Sequence, residues 1–366
     1  MSLLYGVFSP PGQPPRVGAL RGERVLDLGA GTEGALGRLL ATGSLNALMA
    51  AGPGAWAEVL AIEEAPELAL ADVEVHLPFA VADYVDFYSS LDHAVNVGRI
   101  FRPGAEPLLP NWRHLPVGYH GRAGTIVASG TEIARPSGQR RPPGADGPDF
   151  GPSRALDVEL ELGFVIGRPS RPEEPVPVEC ALEHVFGVVL LNDWSARDVQ
   201  AWEYQPLGPF LAKSFATSIS AWVAPVGALE PYRVPGAPQE PEPLPYLRED
   251  PWAYDLDLTL ELRGEVVSRT SARNLYWSVA QQIAHLTSNG AHLRTGDLLG
   301  SGTISGPERG SRGSLLELSW NGAEPLELAD GTTRSFLEDG DEVVMSGATP
   351  DGAVTLGEVR GRLSSA

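Results

Sequence analysis

The spacing of apolar and polar positions changes along the chain, and each period predicts an element. From Leu156 to Leu162 the alternation is strict: Leu156, Val158, Leu160 and Leu162 on one side, Asp157, Glu159 and Glu161 on the other. That is the pattern of a strand, whose successive side chains point to opposite faces. Val185 to Leu191 is an unbroken apolar run ending at Asn192, as expected for a strand buried on both faces. Beyond it, Asp193, Arg197, Gln200 and Tyr204 recur at spacings of four, three and four, which places them on one stripe of a helix. An acid, a permanent cation, an amide and a phenol would then face the same way. Such a stripe is either the wet side of a surface helix or a wall for a small anionic ligand beside a metal.

Other segments read in the same manner. Arg16 to Leu20 and Arg24 to Leu28 alternate across Arg21-Gly22-Glu23 and predict a hairpin. Alanine and leucine dominate Gly34 to Ile62, with Gly and Pro interruptions, and suggest two short helices; after Ala65-Pro66 come Val73 to Leu77 and then a polar-aromatic segment, which places a boundary near residue 78. Phe87, Leu91, Ala94 and Val95 form one helical face with Asp86, Ser90 and His93 on another, and Gly98 is the expected stop. Leu275, Val279, Ile283 and Leu286 predict a helix capped by Asn274 and ending near Gly290, with His285 as a surface or packing residue.

Composition adds to this picture. The 42 glycines and 33 prolines concentrate in Pro10 to Pro15, Arg135 to Pro152 and Pro235 to Pro245. These read as extended loops between short segments, so the chain is expected to be β-rich with few long helices. A length of 366 residues suits one large domain and a smaller one. The net charge of −20 repels phosphate backbones and anionic bilayers, which argues against nucleic acid and membrane surfaces as partners. It also makes an anionic substrate awkward unless Arg, Lys or a metal reverses the potential locally. Cys180 is the single cysteine, so there is no disulfide framework and no Cys-rich zinc site. The opening Met1-Ser-Leu-Leu-Tyr-Gly has no basic stretch leading into an apolar one, and a cytoplasmic location is expected.

Glu159 and Glu161 would lie about 7 Å apart on one strand face, a separation that two carboxylates can close on one ion. The other reading is a solvated strand face. Oxygen-only ligands suit magnesium or calcium, and without a Cys cluster or paired histidines zinc is disfavoured. Three motifs are weak or missing. Val25 to Gly34 resembles the glycine-rich turn of S-adenosylmethionine methyltransferases, but an upstream hairpin partner and an alanine-rich tract stand where a strand–turn–helix is needed. Gly300 to Gly306 has no G-K-[ST] ending, and serves better as a turn whose backbone N–H groups approach a carboxylate. No G-x-S-x-G elbow is present.

Several longer stretches carry a resemblance. Asp83-Tyr-Val-Asp-Phe-Tyr-Ser-Ser90, Leu109-Pro-Asn-Trp-Arg-His-Leu-Pro-Val-Gly-Tyr-His-Gly-Arg122, Asn192-Asp-Trp-Ser-Ala-Arg-Asp198, Trp202-Glu-Tyr-Gln-Pro-Leu-Gly-Pro-Phe-Leu-Ala-Lys-Ser-Phe215 and Ser301-Gly-Thr-Ile-Ser-Gly306 resemble the signatures of the fumarylacetoacetase family, in that order. Tyr5-Gly-Val-Phe-Ser9 and Leu45-Asn-Ala-Leu-Met49 are similar to its N-terminal part. The chain departs from the animal members in a shorter stretch around Glu63 to Ala71.

The resemblance implies a mainly β, mixed α+β fold: a small SH3-like β domain over residues 1–78, then a large catalytic β-roll over residues 79–366 that forms a homodimer. It implies hydrolysis of the carbon–carbon bond of 4-fumarylacetoacetate to fumarate and acetoacetate, the last step of tyrosine and phenylalanine breakdown. Asp86, Glu159, Glu161 and Asp193 would be the metal carboxylates, with Ca2+. A second ion, Mg2+, would lie near Asp193, Thr217 and Lys213, the lysine giving only its backbone carbonyl. His93 would be the base and Glu317 its partner. Arg197, Gln200 and Lys213 would hold the oxyanion, and Tyr88, Arg102, Tyr119, Tyr204 and Thr303, with Arg197 and Gln200, would contact the substrate. Four carboxylates around one divalent ion leave two negative charges, which Arg197 and Lys213 would cancel. A related fold also hosts acylpyruvases, decarboxylases and hydratases acting on smaller keto acids, and these are the alternative.

Overall fold

The computed structural model describes residues 2–365. Its architecture is sheet-rich with short helices, as the punctuated sequence predicts. A 13-stranded sheet forms the body. Its main path begins at Glu67–Ala69 and passes through Arg24–Leu26, Arg16–Arg21, Leu4–Ser9 and Trp222–Pro225 to Val185–Asp193. From there it continues through Leu160–Ile166, Leu298–Gly300 and Tyr84–Phe87 to Gly118–His120.

The two central strands carry the core. Every residue of Leu160–Ile166 and of Val185–Asp193 is buried, as the apolar run predicts. Leu160, Leu162, Phe164 and Ile166 point into the main cluster, while Val165, Val189 and Leu191 join a second cluster with Tyr5, Leu26, Leu48 and other N-terminal residues. A five-stranded sheet built on Asp257–Leu262, Glu342–Ala348 and Thr355–Ser364 adds Leu258, Leu260, Val343, Met345 and Val359 to the main cluster. With apolar partners on both faces, the central strands hold whatever polar groups they carry in fixed positions out of water.

The predicted N-terminal hairpin forms, pairing Arg21 with Arg24 and Ala19 with Leu26. Its turn needs Gly22, whose φ of +59° is the left-handed region glycine enters without a Cβ clash. The strand leading into the glycine-rich turn has antiparallel neighbours on both sides. That topology is incompatible with the parallel nucleotide-binding arrangement of the methyltransferase decoy.

Several expectations are corrected. Gly34 to Ile62 forms three helices, Gly34–Leu40, Asn46–Ala50 and Pro53–Leu60, where two were expected. Arg135 to Pro152 contains a hairpin, Ser137–Arg140 against Asp149–Pro152. Asp86 and Phe87 lie on a strand, because Tyr84–Phe87 pairs in parallel with Leu298–Gly300; the helix begins only at Leu91 and runs to Phe101. Gly98 does not stop that helix. A Cβ there would stand 2.0 Å from the Pro107 carbonyl oxygen, so the glycine permits close packing. Asn274 belongs to a 3-10 turn, and the Val279–Thr287 helix is capped by Ser278, reciprocated by Gln281 in a capping box.

Candidate active site

Glu161 sits on Leu160–Ile166, Asp193 ends Val185–Asp193, and Asp86 lies on Tyr84–Phe87. Between the Glu161 and Asp86 strands runs Leu298–Gly300, with Gly300 in register with Asp86. A Cβ on Gly300 would come within 2.7 Å of Asp86 Oδ1 and 3.2 Å of Glu161 Oε2. The missing side chain is what lets the two carboxylates converge across the intervening strand. The expected backbone-to-carboxylate contact of the Gly300–Gly306 segment is present: the Gly302 N–H donates to Glu161 Oε2 at 3.0 Å.

The Leu156–Leu162 alternation is interrupted, since regular pairing lapses at Val158 and Glu159 between Leu156–Asp157 and Leu160–Ile166. The three acids are all buried, so the solvated strand face does not occur, but their roles diverge. Asp157 turns to the Arg197 Nε at 2.7 Å. Glu159 meets Arg197 Nη2 at 2.6 Å and also the Lys213 ammonium. Lys213 in turn reaches Asp193 Oδ2 at 2.8 Å, which also accepts from Tyr119 at 3.0 Å. Thr217, paired with Asp193 across adjacent strands, donates to Asp193 Oδ1 at 2.8 Å.

Asp86, Glu159 and Asp193 each present an oxygen within 4.8 Å of the others. Asp86 Oδ1 and Glu161 Oε1 are buried without a hydrogen-bond partner. Such groups are costly to leave unsatisfied, and the cost shows in their acidity. Burial, with Asp193 close by, pushes Asp86 well above the usual carboxylate range; burial and then Asp86 do the same to Glu161. For Glu159, burial acts in the same direction but Arg197 and Lys213 overcome it and hold the carboxyl below its ordinary value. The cluster therefore has two acids with a counter-charge, Glu159 and Asp193, and two without one, Asp86 and Glu161, and its all-oxygen donor set fits a hard divalent cation. Charge counting from sequence omitted Asp157, which takes up part of Arg197. Five carboxylates face two cations here, a deficit that one divalent ion reduces but does not cancel.

His93 and Glu317 form the second group. His93 Nδ1 lies 2.7 Å from Glu317 Oε2, with both side chains buried. The Glu317 carboxylate also accepts from Asn96 at 2.9 Å, Ser305 at 2.9 Å and Ser314 at 2.8 Å. Burial would raise its pKa; the His93 charge, the His93 hydrogen bond and those from Asn96 and Ser314 bring it down to about 2. The Tyr88 ring stands edge-on to the imidazole, 5.2 Å between centroids. His93 also acts electrostatically on Glu159, which links the pair to the acidic cluster.

The predicted stripe is only partly helical. The helix is Arg197–Glu203; Asp193 belongs to the preceding strand, and Tyr204 is the helix C-cap. Arg197 Nη1 donates to Gln200 Oε1 at 3.0 Å. Tyr204 stacks on Phe101 at 6.2 Å and its hydroxyl accepts from Gln205 at 3.2 Å, while Arg102 Nη2 donates to the Pro107 carbonyl at 2.7 Å. Thr303 Oγ1 is buried without a partner.

Sequence reasoning did not single out Tyr84, Asn96, Ser305 or Ser314. Tyr84 is buried with an unpartnered hydroxyl, 3.2 Å from the ideal Cβ position of Gly300. Ser314 had a readable signal, a serine three residues before Glu317 at a helix start, and it does cap the Leu315–Leu318 turn. A cavity of about 310 Å³ reaches Tyr84, Tyr119, Asp193 and Lys213 and is also lined by His120, Arg122 and Phe210.

Known proteins resemble this chain over most of its length. The chain is 46% identical over 379 residues to the fumarylacetoacetase of Homo sapiens, covering 94% of this chain and 90% of that one. It is 45% identical to the fumarylacetoacetase of Caenorhabditis elegans, covering 99% and 95%, and 45% identical to that of Arabidopsis thaliana, covering 97% and 92%. Among solved structures, a fumarylacetoacetate hydrolase from psychrophilic Exiguobacterium antarcticum superposes with a TM-score of 0.64 at 19% identity over the whole of both chains. A 5-carboxymethyl-2-hydroxymuconate delta-isomerase from Mycobacterium smegmatis gives 0.58 at 18%, covering 99% of this chain and 100% of that one. Residues 84–364 match the Fumarylacetoacetate (FAA) hydrolase C-terminal family, and with those relatives the chain belongs to the fumarylacetoacetate hydrolase family.

Proposed function

We propose that this chain is a fumarylacetoacetase, hydrolysing the carbon–carbon bond of 4-fumarylacetoacetate to fumarate and acetoacetate. The supporting observation is the buried His93–Glu317 pair within electrostatic reach of a carboxylate cluster short of counter-charge. Fold likeness alone is neutral, since an isomerase shares it. Identity of 42–47% to fumarylacetoacetases favours this substrate over the smaller keto acids.

The chemistry asks for an activated water and a stabilised leaving enolate. With Nδ1 held by Glu317, the other ring nitrogen of His93 is the atom that takes the proton from water. The resulting hydroxide adds to the substrate carbonyl. Asp157 takes the Arg197 Nε, Glu159 faces Nη2 and Gln200 accepts from Nη1; the N–H groups these leave, with Gln200 and Lys213, would hold the oxyanion. As the carbon–carbon bond breaks, its electron pair leaves on the acetoacetate fragment as an enolate, and the imidazolium returns the proton to that carbon. Asp86, Glu159, Glu161 and Asp193 would hold the cation, which we assign as Ca2+; when bound it supplies Lewis-acid stabilisation of the enolate charge. Mg2+ would lie at Asp193, Thr217 and the Lys213 carbonyl. Tyr88, Arg102, Tyr119, Tyr204 and Thr303 would surround the substrate.

The reading brings with it a homodimer, a cytoplasmic setting and a division of the chain near residue 78. No helix among the described residues is long and apolar enough to cross a membrane. The test is an absorbance assay with fumarylacetoacetate against acetylpyruvate, with and without chelator. Chelator-sensitive turnover of fumarylacetoacetate is expected, and a preference for acetylpyruvate would transfer the assignment to the acylpyruvases.

A further inference from the structure

Asp157 has no part in the reaction as described, yet it is completely buried and joins two halves of the machinery. Its Oδ2 accepts from Arg197 Nε at 2.7 Å and from the Leu316 N–H at 3.0 Å. Its Oδ1 accepts from the Leu315 N–H at 2.7 Å and from its neighbour Val158 at 2.8 Å. Leu315 and Leu316 open the single turn that presents Glu317. One carboxylate thus fixes both the guanidinium proposed to meet the oxyanion and the backbone that carries the partner of His93. The strand holding it cannot yield easily, because Leu156 and Asp157 pair with Ala196 and Ser195 immediately before Arg197.

We infer that Asp157 is a positioning residue that sets the distance between the Arg197 guanidinium and the His93–Glu317 pair, acting through both and touching neither substrate nor cation. A carboxylate suits this place because all four of its neighbours donate. An amide would turn an N–H toward Arg197 or toward the helix turn and break one side of the link. Small displacements at such a point are expensive in rate, about a hundredfold for a misplacement near 1 Å.

The inference rests on the proposed roles of Arg197 and His93, so turnover by the wild type and its loss in His93→Ala are measured first. If these fail, that functional reading falls. If they hold, Asp157→Asn is expected to lower kcat about a hundredfold, with KM and calcium affinity by calorimetry little changed. In a double-mutant cycle with Arg197→Lys, the double variant should be no slower than the slower single one within about threefold, because both changes cut the same link. Multiplicative losses in the cycle, or wild-type kcat in Asp157→Asn, would overturn the inference. If Asp157→Asn does not fold, Asp157→Glu decides: it keeps the charge but displaces it by one methylene, so a reduced kcat supports the positioning role and a wild-type kcat overturns it. Failure of both to fold would assign Asp157 to stability alone and also overturn the inference.

Discussion

At the scale of single residues, the site is organised by which buried acids find a donor and which do not. Glu317 finds four and stays ionised; Asp86 and Glu161 each keep an orphaned oxygen. Removing the imidazole in His93→Ala should therefore lower kcat by about 10² to 10⁴ while leaving cation affinity intact; a variant keeping more than about a tenth of the wild-type rate would rule out the base role. Glu317 makes a second prediction. Its carboxyl falls from the ordinary 4.5 to about 2 on folding, so its contribution to stability is fully present above 4.5 and is lost as the pH falls through about 2. The melting temperature of Glu317→Gln should lie furthest below wild type at neutral pH, and the gap should narrow between pH 4.5 and 2 in parallel thermal melts. Resemblance made His93 and Glu317 legible 224 positions apart, but Asn96 and Ser305 were not, since nothing local marks a donor whose acceptor arrives from a distant segment.

Elements were legible where one period ran undisturbed. Val185 to Leu191 read as a doubly buried strand because both of its faces are apolar, and it is one. The stripe from Asp193 to Tyr204 misled because two elements meet inside it: the strand's last residue stands by coincidence at a helical spacing from Arg197. Asp86 misled for a related reason, since its strand forms by pairing with segments outside its own stretch, Gly118–His120 on one side and Leu298–Gly300, more than two hundred residues away, on the other. Glycines expose the same dependence on tertiary neighbours and can be tested in contrast. Gly300→Ala would place a methyl 2.7 Å from Asp86 Oδ1, so calcium affinity should fall at least about tenfold with the fold retained, because only side-chain oxygens must move. Gly98→Ala would meet the Pro107 carbonyl oxygen at 2.0 Å, a backbone atom. Overpacking of that kind costs about 1–3 kcal/mol, so its melting temperature should drop while calorimetry shows an unaltered cation site.

For the whole molecule, the charge of −20 and the local site act in the same direction until a cation is bound. Arg197 and Lys213 do not project a positive field outward, because Asp157, Glu159 and Asp193 already engage them. A dianionic substrate such as fumarylacetoacetate therefore approaches against repulsion from the surface and meets a site whose two cations are already engaged, so that bound divalent charge eases the last part of the path. Surface repulsion is long-ranged and screenable: the Debye length shrinks from about 30 Å at 10 mM salt to about 8 Å at 150 mM. Contacts inside a buried site are screened far less. With saturating calcium, kcat/KM should rise severalfold as potassium chloride is raised across that range, while kcat, which no longer includes the encounter, stays level. Steady-state kinetics at fixed pH would check this. A falling kcat/KM would mean that the cation-loaded site attracts its substrate more strongly than the surface repels it, and that the basic groups lining the neighbouring cavity, His120 and Arg122, steer the approach.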